Sequence, residues 1–531
     1  MKRRDFISFN QNDELQSADF NQYNNNMSAE ETAHFLRRLC FESSYDLIKQ
    51  FTGKKPSEAF DIIINADTQL ALPTPTAGMN SWLNVLEEDP LSGLPNDIRQ
   101  EIQGRHHSHY REFVNWWTSL MRNELYSARE KMVHFLTTIW SIEFTYDTEA
   151  LISPPLLYRN NQTLRSSWNM GYKAIAEAMI LDGAMLLYQS LFYSNKNQPN
   201  ENFMRELMEL FTMGIGDIVT GETNYTEGDI REGSKALTGW STVTYIGQDN
   251  APANKPYQTF FRKDDHDMTG KTLFQFGAIS PISEEENTED LVKEKEVKGL
   301  IDILFTQRGE QISRFIAEKL YRYYIYSNPG EIDASTIEQI AKHLRDNDYN
   351  LVNTLKMMLC SNMFFSQTIR ACQIKNPTEF IIGLERVLGV AAADTVQTSD
   401  ANLISNLEQT LYDPPNVGSW KGYRNWINTN TYPLRIKYSG QLLNGASIAD
   451  FIKKFDNYTD STALLAGITK YLLPDFSMIT TTRYSEMKQI LLNGLEESAW
   501  TTQIQSDRTE AIEGVRNLIK EIIYSPDFQL C

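Results

Sequence analysis

Cysteine is scarce. The four in 531 residues, Cys40, Cys360, Cys372 and Cys531, include no C-x-x-C pair. That excludes a zinc ribbon, a thioredoxin-type motif and a disulfide scaffold. A single Cys360–Cys372 bridge and separate, partly buried thiols both remain open, and the second follows from the packing of free cysteine as a small hydrophobe. No stretch reaches the ~18–20 uninterrupted apolar residues of a membrane helix. Basic charge is also short: 50 Lys and Arg face 69 Asp and Glu, a net charge of -19. Such a field repels phosphate backbones, so nucleic-acid binding is not expected as the main role. A metal ion, or a neutral or cationic partner, suits it better. Neither G-x-S-x-G nor H-E-x-x-H nor H-x-x-E-H occurs, which removes sequence support for common serine-hydrolase and zincin mechanisms. What is present is globular: 41% hydrophobic and 22% charged residues are enough to form cores and argue against wholesale disorder.

The start, Met1 to Ile7, has the positive charge and twin arginine of an export signal. Residues 8–20 lack the apolar segment that should follow, so a cytoplasmic or envelope location stays open. Residues 1–27 read as a flexible, Asn/Gln-rich arm. From Ser28 to 531 the pattern is mainly α: one large multi-helix domain, helical over 28–237, with a small β-hairpin insertion over 238–285 and helices again over 286–531. Ser28 and Glu31 form a capping box. Helical spacing marks Pro56–Ala66, Tyr110–Leu125, Ala128–Phe144, Tyr172–Tyr193 and Asn202–Gly214, the last stopping at glycine. Ser241–Ile246 alternates like a strand. Thr259–Arg262 and Lys271–Phe276 are expected to pair around an acidic loop. Residues 412–432 form an aromatic, Asn-rich loop.

Several stretches together resemble one bacterial family, the domain of unknown function 1800. They are His34–Leu39, Asn202–Gly214, Tyr225–Ile230, Ala236–Trp240, His266-Asp267 with Gly270-Lys271-Thr272, Arg314–Leu320, Lys375–Phe380, Pro414–Trp420, Trp426–Asn430 and Ser525–Gln529. Their order and spacing hold from about 30 to 530. The resemblance implies membership and no settled activity. It also implies frequent export, and a gene neighbour encoding an exported alkaline-phosphatase-like protein as a partner. Two departures stand out. The family's His-Asn-His segment is replaced by Thr137-Thr138-Ile139, and a glycine usual after Phe41 is replaced by Glu42.

The loop Asp264-Asp265-His266-Asp267, with Lys271, is the best candidate for chemistry. Asp265, His266 and Asp267 could hold a divalent cation, although the cofactor itself is undetermined. His266 and Asp267 could instead do acid–base work. Adjacent residues diverge in extended backbone, so a solvated turn with Asp side chains on local N–H groups is the competing reading. Gly270-Lys271-Thr272 is not a phosphate loop, because Asp265 stands where that pattern needs glycine. Arg205 and Glu206 could support the His266 site. The alternative is a strut between helices, with Arg205 pairing Glu209 and with Arg37 or Arg38 bracing Glu206 or Glu209. His106 and His109 share a helix face but lack an evident third ligand. Trp420, Trp426, Asn416, Asn428 and Asn430 offer aromatic faces and amides of the kind that grip sugars or peptides. The same amides could instead satisfy loop backbone.

Two function classes follow. One is an envelope-associated enzyme acting on a polysaccharide or a phosphorylated or sulfated surface compound, with His266, Asp267, Glu206, Arg205 and Lys271 in the site. The other is a non-catalytic carbohydrate- or protein-binding or assembly factor, reduced by the change at 137–139.

Overall fold

Hydrophobic side chains at helical spacing dominate this sequence, and the computed structural model buries them in one connected cluster running from Met27 to Phe528. It describes residues 19–531, apart from 43, 89–92, 147–150, 253, 329–331, 391–398 and 507–508. Residues 19–27, expected within the arm, lie against later chain: Tyr23 N–H donates to Cys360 O (2.8 Å) and Met27 is buried. The remainder of the arm falls outside the described residues.

The class is mainly α, as expected. Ser28 caps the Ala29–Leu39 helix, with both arms of the capping box made. Pro56–Thr68 begins with proline in its first turn, where the missing N–H costs nothing. Asn96–Asn123 starts well before the aromatic-rich part that announced it, and Ala128–Ile139 stops short of Phe144. The apolar run from Tyr172 divides into Tyr172–Ile180 and Gly183–Tyr188. The break is chemical: Asp182 accepts from Ala184 N–H (3.1 Å) and Met185 N–H (3.2 Å), capping a new helix. Glu201–Glu206 passes into a π-helical stretch, Leu207–Thr212. It ends at Gly214, whose φ of +78° suits glycine.

Among the described residues the β structure is three two-stranded antiparallel pairs. The expected pairing of 259–262 with 271–276 does not form. Trp240–Thr242 pairs with Thr259–Phe261, and Lys271–Leu273 pairs with Gly277–Ile279. The second pair turns through Phe274 and Gln275 at φ +51° and +67°, a local turn that outcompetes the longer loop. Phe274 is fastened there: its N–H donates to Asp229 (2.5 Å) and its ring lies 4.2 Å from the Arg308 guanidinium. The four cysteines are free and buried, so no Cys360–Cys372 bridge forms. Among the described residues no helix is long and apolar enough to cross a membrane.

Candidate functional site

The 3₁₀ turn Lys263–Asp265 delivers His266 in extended backbone at the foot of the Glu227–Ala236 helix. Successive side chains therefore point apart. His266 is buried, and its Nδ1 lies 2.9 Å from Thr238 O and 3.2 Å from Thr238 Oγ1. Its Nε2 stands 3.4 Å from Glu296 Oε2. Lys271, on its strand, sends Nζ to both Glu296 oxygens (2.7 and 2.6 Å) and to Asp267 O (2.6 Å). The side chains of His266, Lys271 and Glu296 have no exposed surface. The Lys271 ammonium is thus paired with one buried carboxylate, which also faces the His266 ring.

The three residues expected to share a metal do not converge. Asp265 faces Arg262 (3.1 Å), and Asp267 accepts from Thr269 N–H (2.8 Å) and Oγ1–H (2.5 Å). Burial raises the Asp267 carboxyl, but the Thr269 hydrogen bonds, with Lys271 nearby, outweigh it and hold the group below its usual range. Among the described residues no three His, Cys, Asp or Glu side chains gather as metal ligands.

Arg205 and Glu206 are not part of this cluster. Arg205 holds Glu227 through two bonds of 2.8 Å, while Glu209 takes the Tyr225 hydroxyl. The expected Arg205–Glu209 pair is replaced because Glu227 offers the guanidinium a bidentate match. Arg37 and Arg38 also go elsewhere. Arg37 pairs with Glu42 (3.0 Å), and Arg38 donates to Cys531 O (2.7 Å) and Ile325 O (3.2 Å).

Glu206 instead faces a second group of acids. Tyr188 hydrogen-bonds Glu143 and lies within the electrostatic reach of Glu206 and Asp413. Glu206 is half-buried. Burial first, then Glu209, push its carboxyl up against the pull of Arg205. Burial and Glu143 push Asp413 up. The strand-like segment after the Ala128–Ile139 helix is tied to the 412–420 loop here: Phe144 N–H donates to Tyr412 O (2.6 Å) and Ser141 Oγ to Val417 O (2.5 Å). The altered 137–139 segment offers this region little chemistry. Thr137 and Thr138 hydroxyls return to their own helix, at His134 O (2.8 Å) and Phe135 O (2.6 Å), and Ile139 is buried.

The aromatic loop is partly self-satisfied. Asn416 Oδ1 accepts from Gly418 N–H (2.9 Å). Asn428 Oδ1 accepts from Asn430 N–H (2.8 Å) and Thr431 N–H (2.9 Å), while its amide donates to Glu408 (3.0 Å). Trp426 is buried, Trp420 is half-buried, and Asn430 is exposed. His106 is buried near Glu87 (3.7 Å) and His109 stacks on Trp82 (4.7 Å), so the two do not share a ligand face.

Sequence reasoning missed Glu296, Glu143, Tyr188 and Asp413. A signal for Glu296 existed: it stands four residues from both Val292 and Leu300, on the buried stripe of its helix. The other three come together only in space. A profile of the family described as protein of unknown function (DUF1800) matches residues 34–530. No curated protein and no solved structure matches.

Proposed function

The chain belongs to the family of proteins of unknown function DUF1800, and we propose that within it this member is a non-catalytic binding or assembly protein. One observation carries the reading: His266, Lys271 and Glu296 are sealed from solvent, with the lysine and the carboxylate neutralising each other. A catalytic imidazole must reach its substrate within hydrogen-bond distance. Here the ring is enclosed by Thr238, Phe261 and Glu296. Loss of the His-Asn-His segment at 137–139 points the same way. The ligand surface to test first is the loop carrying Trp420, Asn416 and Asn430, with the Glu143–Asp413 rim beside it. An exported alkaline-phosphatase-like protein, implied by the family resemblance, is the protein partner to test first.

The reading predicts no stoichiometric metal in untagged protein by elemental analysis. It also predicts no turnover of chromogenic phosphate, sulfate or glycoside esters. Turnover by the wild type that disappears in a folded His266→Ala variant would sink it.

A second reading rests on Glu206 and Asp413. Two carboxyls held above their usual range, Glu206 half-buried and Asp413 exposed, near one tyrosine hydroxyl, are what acid–base work on a neutral, hydroxyl-rich substrate such as a polysaccharide needs. If it holds, glycoside turnover appears, falls by on the order of 10²–10⁴ in Glu206→Gln, and is untouched by His266→Ala.

A further inference from the structure

Arg37, Cys40, Glu42, Lys375, Glu379 and Cys531 come from three distant parts of the chain and line one cavity. Its volume is about 10 Å³, the space in which the centre of a single water-sized occupant can move. All six residues are buried, none more than 7% exposed. Two of the lining side chains are cationic and two are carboxylates. Glu42 lies between Arg37 (3.0 Å) and Lys375 (2.8 Å). Glu379 accepts from Asn376 N–H (3.1 Å) and pairs with Lys131 (2.9 Å). The walls by themselves are therefore neutral.

The layer behind the walls is not neutral. Lys131 donates to Arg37 O (2.8 Å) and Cys40 O (2.9 Å). Arg38 donates to Cys531 O (2.7 Å), and Arg435 to Lys375 O (2.9 Å). Each of these three buried cations is thus bonded to a residue of the lining. Arg37, Arg38, Lys131, Lys375 and Arg435 face only Glu42 and Glu379: among the described residues no other carboxylate pairs with any of them. Glu31, on the helix of Arg37 and Arg38, pairs with Arg370 (3.3 Å), and Asp67 accepts from the Arg129 N–H (2.9 Å). A carboxylate at residue 531, were the chain to end there, adds one negative charge and still leaves cations in excess. Arg435 shows the excess most clearly. It is fully enclosed, lies 4.7 Å from the Phe380 ring centroid, and its Nε has no hydrogen-bond partner among the described residues. Burial pulls its guanidinium down to about 9, against the opposing field of Glu379.

We propose that this cavity holds one monatomic anion, a halide such as chloride, as a bound part of the fold. A buried cation without a counter-charge is costly, and backbone carbonyls offset that cost only in part. Water in the cavity carries no net charge and leaves the excess as it is. An anion there gains from all three outer cations, while the wall charges cancel one another. The size of the space admits chloride or bromide and excludes sulfate, phosphate and organic carboxylates. The chain's net charge of -19 gives no long-range attraction for an anion, so binding depends on this local surplus. The inference holds whether or not the protein is catalytic.

The test uses the full chain, dialysed into gluconate. Chloride or bromide then replaces gluconate at constant ionic strength while thermal unfolding is followed. Chloride raises the wild-type Tm by about 2 °C or more, saturating as a single site. Arg435→Met removes one outer cation without leaving a carboxylate unpaired, and it loses most of that increment. Sulfate, which stabilises by exclusion from the surface, shifts both proteins equally. Wild-type crystals grown in bromide show one anomalous-scattering peak inside the cavity, a reading that stands even if Arg435→Met fails to fold. A cavity holding water only, with no bromide peak, overturns the proposal. So does a halide increment that Arg435→Met retains in full.

Discussion

At the scale of single residues, charge burial separates what holds the molecule together from what remains free to act. Lys271 and Glu296 are both fully enclosed. Removing one partner leaves the other charged in a medium that cannot solvate it, so Glu296→Gln is expected to lower unfolding free energy by about 3–5 kcal/mol. Replacing both, Lys271→Met with Glu296→Leu, should cost less than either single change, and denaturant titration of the cycle measures the difference. Glu42 shows the same principle under strain. It holds φ at +60° where the family resemblance implies glycine. Its carboxylate bridges Arg37 and Lys375 at 3.0 and 2.8 Å.

His134 carries a pH dependence of definite sign. Burial pulls its imidazole down to about 4, Glu379 opposing and Lys131 reinforcing the shift. A folded-state value below the ordinary 6.5 means that the unfolded chain binds the proton first. The neutral ring's contribution is therefore complete above about pH 6.5 and is lost as pH falls towards 4, by roughly 3 kcal/mol in all. Wild type should lose stability relative to His134→Gln as pH falls from about 7 to about 5. Asp67, Asp182 and Glu124, each pushed up by burial, titrate in both proteins and cancel in that comparison. A difference that is flat with pH would refute the assignment.

At the scale of elements, local chemistry decides boundaries and long-range packing decides partners. The capping residues at Ser28, Thr226 and Asn376 mark true helix starts, and each was available from the residues within one turn. The strand pairing was not, because Lys271–Leu273 could satisfy its ladder with either neighbour. The chosen hairpin stores strain in Gln275, an exposed non-glycine residue at φ +67°. Gln275→Gly is expected to stabilise the protein by up to about 1 kcal/mol, visible as a raised denaturation midpoint. The split at Asp182 was legible in principle, as an Asp before a short helix, but a long apolar run concealed it.

At the scale of the whole molecule, the first described helix and the last residues are bound together. Arg38 donates to Cys531 O, and Ile374 bridges Leu530. All four thiols are buried, and those of Cys372 and Cys531 lie beside Arg38. Native protein should therefore show almost no fast reaction with a thiol reagent, and four equivalents after denaturation. Early release of one or two would mean that the helix and the tail open independently of the core. The acidic groups around Tyr188 also belong to this scale. They arrive from three separate places in the chain, residues 143, 206 and 413, and no spacing rule joins them to one another or to Tyr188.

Composition and periodicity established a mainly helical chain, most helix positions and the buried faces, because these depend on residues within a few turns of one another, and the order of its motifs along the chain carried the resemblance to the family. Which charges are sealed and which carboxylates share a field were decided only by the folded structure. Those properties depend on solvent exclusion and on distances between side chains far apart in sequence, and neither quantity exists until the helices close on one another.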